Sequence, residues 1–121
     1  IDAMKPSLDN LSYTSYMVRV AYDESEVEVL AAVLSCAYSY EVIAKKIVAN
    51  RPESVDDPFY GDWIRGYASD EYAAGNVILI ETLDRLSAHY TEEQLRHLED
   101  IFIACSRYEM AFWQMAWEIR L

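Results

Sequence analysis

Cys36 and Tyr40 stand four residues apart in one apolar stretch, and Glu109 stands in the middle of another. A cysteine in such a setting offers a nucleophile once its thiol ionises. A carboxyl group that burial strips of water favours its protonated form and suits a proton donor. Leu98, Phe102, Cys105, Glu109, Phe112 and Ala116 recur at helical spacing, so one stripe carries Glu109 among apolar or soft neighbours. Periodicity alone leaves open that Glu109 pairs with Arg107 or another buried base, or lies just off the stripe. Cys36 has Val29, Val33 and Ile43 above and below it on the same face. A buried cysteine is most often an inert small hydrophobe. His89 and His97 fall in or beside a charged helix start, so neither is placed as a base for Cys36, and a cysteine–histidine protease arrangement is not supported. Tyr13, Tyr38, Tyr40, Tyr67 and Tyr108 are expected on inner faces. Rings with polar tips suit a flat heteroaromatic ligand, although ordinary core packing explains any one of them.

Helices must position these groups. Gly and Pro number three each, and period-two alternation is absent over any useful length. The spacing predicts a first helix over roughly 10–22, with Tyr13, Met17 and Val20 on one face. Ser25 and Glu28 form a capping-box pattern that opens a second helix, running to about Val48. Its segment Val27–Val42 is apolar nearly all round and predicts a central helix with no wet face. A loop is expected over 50–57, a short helix over 58–66 starting at Pro58 and ending on Gly66, and a fourth helix from Ser69 to about Ala88. Thr91 and Gln94 form another capping-box pattern, opening a helix expected to reach the chain end.

The chain has 121 residues, the size of one domain, and its hydrophobic fraction of 53% is high for that length. Apolar surface is therefore expected to remain for a partner or for further sequence to cover. A net charge of -11 opposes phosphate backbones and anionic membrane surfaces, so neither nucleic acid nor membrane is expected as a partner. No CxxC pattern or His/Cys cluster suggests a metal. Cys36 and Cys105 are expected as free thiols in a reducing cytosol, only Cys36 having a role. Residues 1–10 contain no apolar leader, and no charge-free apolar run approaches the ~20 residues that span a bilayer.

Four segments together resemble the TenA/thiaminase II family. They are Tyr13 to Met17 (YTSYM), Leu30 to Tyr40 (LAAVLSCAYSY), Pro58 to Ile64 (PFYGDWI) with Tyr67 just after, and Ser106 to Trp117 (SRYEMAFWQMAW), the last being the most specific. The resemblance implies an all-α, haem-oxygenase-like helical bundle, of which 1–121 is the C-terminal part as a single helical domain. It implies hydrolysis of 4-amino-5-aminomethyl-2-methylpyrimidine, thiamine or both to hydroxymethylpyrimidine, in cytoplasmic thiamine salvage, without metal or organic cofactor. Carried over by position, Cys36 is the nucleophile and Glu109 the acid/base, and Tyr13, Tyr40, Tyr67 and Phe112 line the pyrimidine pocket. Asp57 stands where the family often has His, Val42 where it usually has Glu, and Ala44 where it often has Gly. The resemblance also implies that an N-terminal half, with an aspartate that activates the cysteine, and a final helix lie outside this sequence. A homo-oligomer, usually a tetramer, or a complementary N-terminal chain is then expected. The alternatives are a pyrimidine-binding module without turnover, a transcriptional role that the charge opposes, and haem chemistry, which lacks a placed histidine ligand.

Overall fold

Ser7, Ser25, Ser69 and Thr91 each accept a hydrogen bond from a backbone N–H two or three residues on, and these caps set where four of the helices begin. The computed structural model describes residues 5–120. It contains α1 (Leu8–Asp23), α2 (Glu26–Asn50), a 3-10 turn (Pro52–Asp56), α3 (Gly61–Ala68), α4 (Asp70–Leu86) and α5 (Glu92–Glu118). Both capping boxes read from the sequence form: Glu28 accepts from the Ser25 N–H at 3.2 Å and Gln94 from the Thr91 N–H at 2.9 Å.

The short helix sits later than expected. Asp57 Oδ1 accepts from the N–H groups of Phe59 at 2.9 Å and Tyr60 at 2.7 Å, which holds 58–60 as a turn and delays α3 to Gly61. A Cβ at Gly61 would lie 2.6 Å from the Val55 carbonyl oxygen, so this close approach needs glycine. Gly66 does not stop the helix; Ser69 does, by capping α4. At the other end α5 stops at Glu118, where Ile119 turns left-handed with φ of 52°. Leu121, where that helix was expected to finish, lies outside the described residues, as do residues 1–4 of the segment read as lacking a leader.

α2 is the spine, touching α1, α3, α4, α5 and the 3-10 turn. The core unites Tyr13 and Val20 of α1, Val27, Ala31 and Ala32 of α2, and Leu98, Ile101 and Cys105 of α5. The two alanines let neighbouring helices approach closely. The expectation that α2 has no wet face fails on two sides: Val33 and Ile43 on one, and Tyr38 and Val42 on the other, are exposed because the helices packed on α2 leave those positions uncovered. By length and a mean hydropathy of 1.5, α2 would suffice to cross a membrane, which the sequence reading did not anticipate. Its contacts with every other helix, and Glu28 buried on it, are those of a core helix.

Ile101 is 1% exposed and central to this core. Ile101→Ala is expected to cost about 2–5 kcal/mol, since the lost methyl groups leave a cavity that rigid helices fill poorly. Urea titration followed by circular dichroism checks it; a midpoint equal to the parent's would mean that this contact carries no weight.

Candidate active site

Three helices bring the candidate groups together. Tyr13 on α1 and Glu109 on α5 are each 8% exposed, while Cys36 on α2 is half-buried. Burial first, then the Glu109 carboxylate, pushes the Cys36 thiol up to about 12. Burial and Glu109 together also raise the Tyr13 hydroxyl far above its ordinary value. Cys105, fully buried, rises to about 11 by burial first and Glu109 second. It therefore belongs to the same electrostatic neighbourhood, although only Cys36 was expected to have a role. Glu109 Oε2 and the Tyr13 hydroxyl are both buried without a hydrogen-bond partner among the described residues. Native interiors leave few such groups unpaired. Arg107 is exposed, and no ion pair to Glu109 is present among the described residues, which removes the pairing that periodicity left open.

A thiol near 12 is protonated at neutral pH and is a poor nucleophile as it stands. The local chemistry is therefore a proton-bearing thiol and phenol facing a carboxyl group. Turning the thiol into a nucleophile needs a base or a charge rearrangement beyond these three residues.

Aromatic rings flank the group. Tyr40, one turn past Cys36, has its ring centroid 5.0 Å from Tyr67, 5.7 Å from Trp63 and 5.8 Å from Trp113. Trp63 and Tyr67 are 4.8 Å apart, and Phe112 joins through Trp113 at 6.1 Å. Burial first, and Glu109 next, push the Tyr40 hydroxyl up to about 12, which places Tyr40 beside the carboxylate as well. Tyr13 belongs to a second group: it stacks on Tyr108 at 5.5 Å with the planes 10° apart. Of the tyrosines expected inside, Tyr38 is 44% exposed and stands outside both groups. Ala116, expected on the inner stripe, is exposed too, so the stripe ends at the half-buried Phe112. Trp63 and Trp113 were not singled out from the sequence. Trp113 lies four residues beyond Glu109 and Trp63 four before Tyr67, and that helical spacing was the available signal.

A groove lies elsewhere on the surface. It encloses about 910 Å³ between Ile43, Ile47, the 3-10 turn, Phe59, Tyr60, Trp63 and Trp113, and touches neither Cys36 nor Glu109 nor Tyr13. It meets the aromatic wall only through the two tryptophans. The groove offers carboxylates at Glu53, Asp56 and Asp57 but no thiol. The thiol and the Glu109 carboxyl group stand apart from this groove. Among the described residues, no three His, Cys, Asp or Glu side chains converge as a metal-ligand set.

Comparison with known proteins adds a family. The model of the TENA/THI-4/PQQC family matches residues 1–119. An aminopyrimidine aminohydrolase of Helicobacter pylori is 43% identical over 113 residues, covering 93% of this chain and 52% of that protein. One of Halalkalibacterium halodurans is 40% identical over 121 residues, covering 100% of this chain and 54% of the relative. One of Bacillus subtilis is 34% identical over 115 residues, covering 95% and 48%. The chain thus spans about half the length of the curated relatives it matches.

Proposed function

The chain belongs to the TENA/THI-4/PQQC family, and from that premise we propose that it carries the nucleophile and the acid/base of an aminopyrimidine hydrolase of thiamine salvage. The family fold is the all-helical haem-oxygenase-like bundle, and the described residues are built of helices alone. The substrate in this reading is 4-amino-5-aminomethyl-2-methylpyrimidine or thiamine, and the product is hydroxymethylpyrimidine. The observation that carries it is the convergence of the Cys36 thiol, the Glu109 carboxyl and the Tyr13 hydroxyl beside the Tyr40–Tyr67 rings.

Each residue then has a task. Tyr40, Tyr67 and Phe112 give the flat pyrimidine apolar faces. A group from other sequence or another subunit takes the thiol proton as Cys36 Sγ bonds to a ring carbon, and the electron pair thereby loaded into the ring expels the substituent on the exocyclic methylene. Glu109 supplies the proton that the departing amine or thiazole takes up. Water adds to the methylene carbon, its surplus proton returns to Glu109, and the carbon–sulfur bond breaks to release Cys36. Tyr13, facing Glu109, orients the carboxyl group between these transfers.

The raised thiol favours a second reading. Without an activating group from other sequence or another subunit, the same pocket holds a pyrimidine and does not turn it over. A homo-oligomer or a complementary chain in the cytoplasm is the proposed source of that group. It would also cover exposed apolar side chains such as Trp117 at 84% and Tyr22 at 86%.

Incubation with the aminomethyl pyrimidine and, separately, with thiamine, followed by mass spectrometry for hydroxymethylpyrimidine, tests the assignment. Product from either substrate is expected. Stabilisation of the fold by the pyrimidine with no product would transfer the assignment to the binding module. Neither effect would remove the pyrimidine site altogether.

A further inference from the structure

Cys36 is gripped on both sides in sequence. The residue before it, Ser35, is fully buried, and its Oγ lies 2.9 Å from Ser106 Oγ on α5. Ser106 donates its own proton to the Phe102 carbonyl oxygen at 2.8 Å, so Ser35 is the donor between the two hydroxyls. Ser106 stands next to Cys105 and three residues before Glu109. The pair therefore ties the turn bearing the thiol to the turn that precedes the carboxyl group. The residue after Cys36, Ala37, is held from α4: its carbonyl oxygen accepts from Tyr72 Oη at 3.0 Å and from Asn76 Nδ2 at 3.2 Å. Asn76 is 3% exposed and reaches Glu41 Oε2 at 2.6 Å as well.

The hydrophobic drive between helices is non-directional, so it fixes their register less sharply than a hydrogen bond of set length and angle. A buried hydroxyl pair resists sliding, since losing the bond leaves donors and acceptors stranded. Such a pair adds little net stability over an apolar contact of the same shape, so its consequence is register rather than strength. We propose that Ser35 and Ser106 are positioning residues that set the Cys36 thiol against the Glu109 carboxyl group, with Tyr72 and Asn76 fixing α2 from the opposite side. This rests on the roles proposed above for Cys36 and Glu109, but its test does not need turnover.

The test is a double-mutant cycle read by alkylation of Cys36 with iodoacetamide at about pH 9, where the thiolate is the reacting form. Rates are measured for the chain and for Glu109→Gln, each with and without the paired Ser35→Ala and Ser106→Ala changes. Glu109→Gln is expected to speed alkylation, and to do so about threefold less, or weaker still, once both serines are gone. An equal acceleration in both backgrounds would overturn the proposal. Ratios within each background cancel changes in access, which a merely structural role would alter. Tyr72→Phe, which deletes one hydroxyl, is the milder variant if the serine pair fails to fold, with the same smaller acceleration expected and the same equality overturning it. Where turnover is present, the serine double variant is expected to lower kcat by about tenfold or more with KM little changed. Ser106→Thr, which keeps the hydroxyl, restores it. Loss of turnover in the parent chain would remove the hydrolase reading and leave the alkylation cycle to decide positioning.

Discussion

Cys36→Ala is expected to lower hydrolysis of the aminomethyl pyrimidine by at least about 10³-fold while leaving the melting temperature close to the parent's. The two halves of that result come from different facts. In the proposed mechanism the Cys36 thiol forms and later breaks the bond to carbon, so its loss removes that covalent route. Cys36 is also half-buried and lies outside the core cluster, so little packing goes with it. Cys105→Ala is the contrast: fully buried in that cluster, it is expected to cost stability and spare turnover. Turnover retained in Cys36→Ala would end the covalent reading.

The same thiol carries a pH prediction. Burial and Glu109 push it up to about 12, so only a trace is ionised near neutrality. Below that value each unit of pH raises the thiolate about tenfold. If ionisation of the thiol alone limits the rate, kcat/KM climbs about tenfold per unit between roughly pH 7 and 9. A flat profile over that range would mean that the thiol proton passes within the site, to Glu109 or to a group from further sequence or another subunit.

Much of this was legible in the residues. Ser25 with Glu28 and Thr91 with Gln94 announced two helix starts, because a capping box is a local arrangement and needs no tertiary partner. The apolar length of α2 marked the central helix, and the stripe through Cys105 and Glu109 marked the inner face of α5. What failed was set by distant contacts or by competing local bonds. Asp57 captured two backbone N–H groups and moved the start of α3, although Pro58 looked like a first helical residue. The uncovered positions Val33, Tyr38, Val42 and Ile43 depend on how many helices pack on α2, which no periodicity reports. The aromatic wall was half-read: Tyr40 and Tyr67 were placed, while Trp63 and Trp113 join them only through the crossing of α2, α3 and α5. That Cys36 and Glu109 meet at all rested on resemblance, since 73 residues separate them in sequence (109 − 36). The packing of α2 on α5 supplies the physical reason.

Glu109→Gln is expected to move two measurements in opposite directions. Turnover should fall about 10²–10⁴-fold, because glutamine fills the same space but cannot give or take the proton that the leaving group needs. Alkylation of Cys36 should meanwhile become faster. The carboxylate is, after burial, the main influence holding the proton on that thiol. Removing its charge lowers the thiol towards its ordinary value, part of the way only, since burial remains. At a fixed pH below that value the thiolate fraction therefore rises. A more reactive cysteine in a less active protein separates the proton donor from the nucleophile, which a general loss of folding cannot mimic. Stability gives a third reading: Glu109 Oε2 is buried without a hydrogen-bond partner among the described residues, so an uncharged amide there is expected to melt no earlier than the parent. Alkylation that slows together with turnover would show that Glu109 supports the shape of the pocket rather than its protons, and the acid/base role would pass to another group.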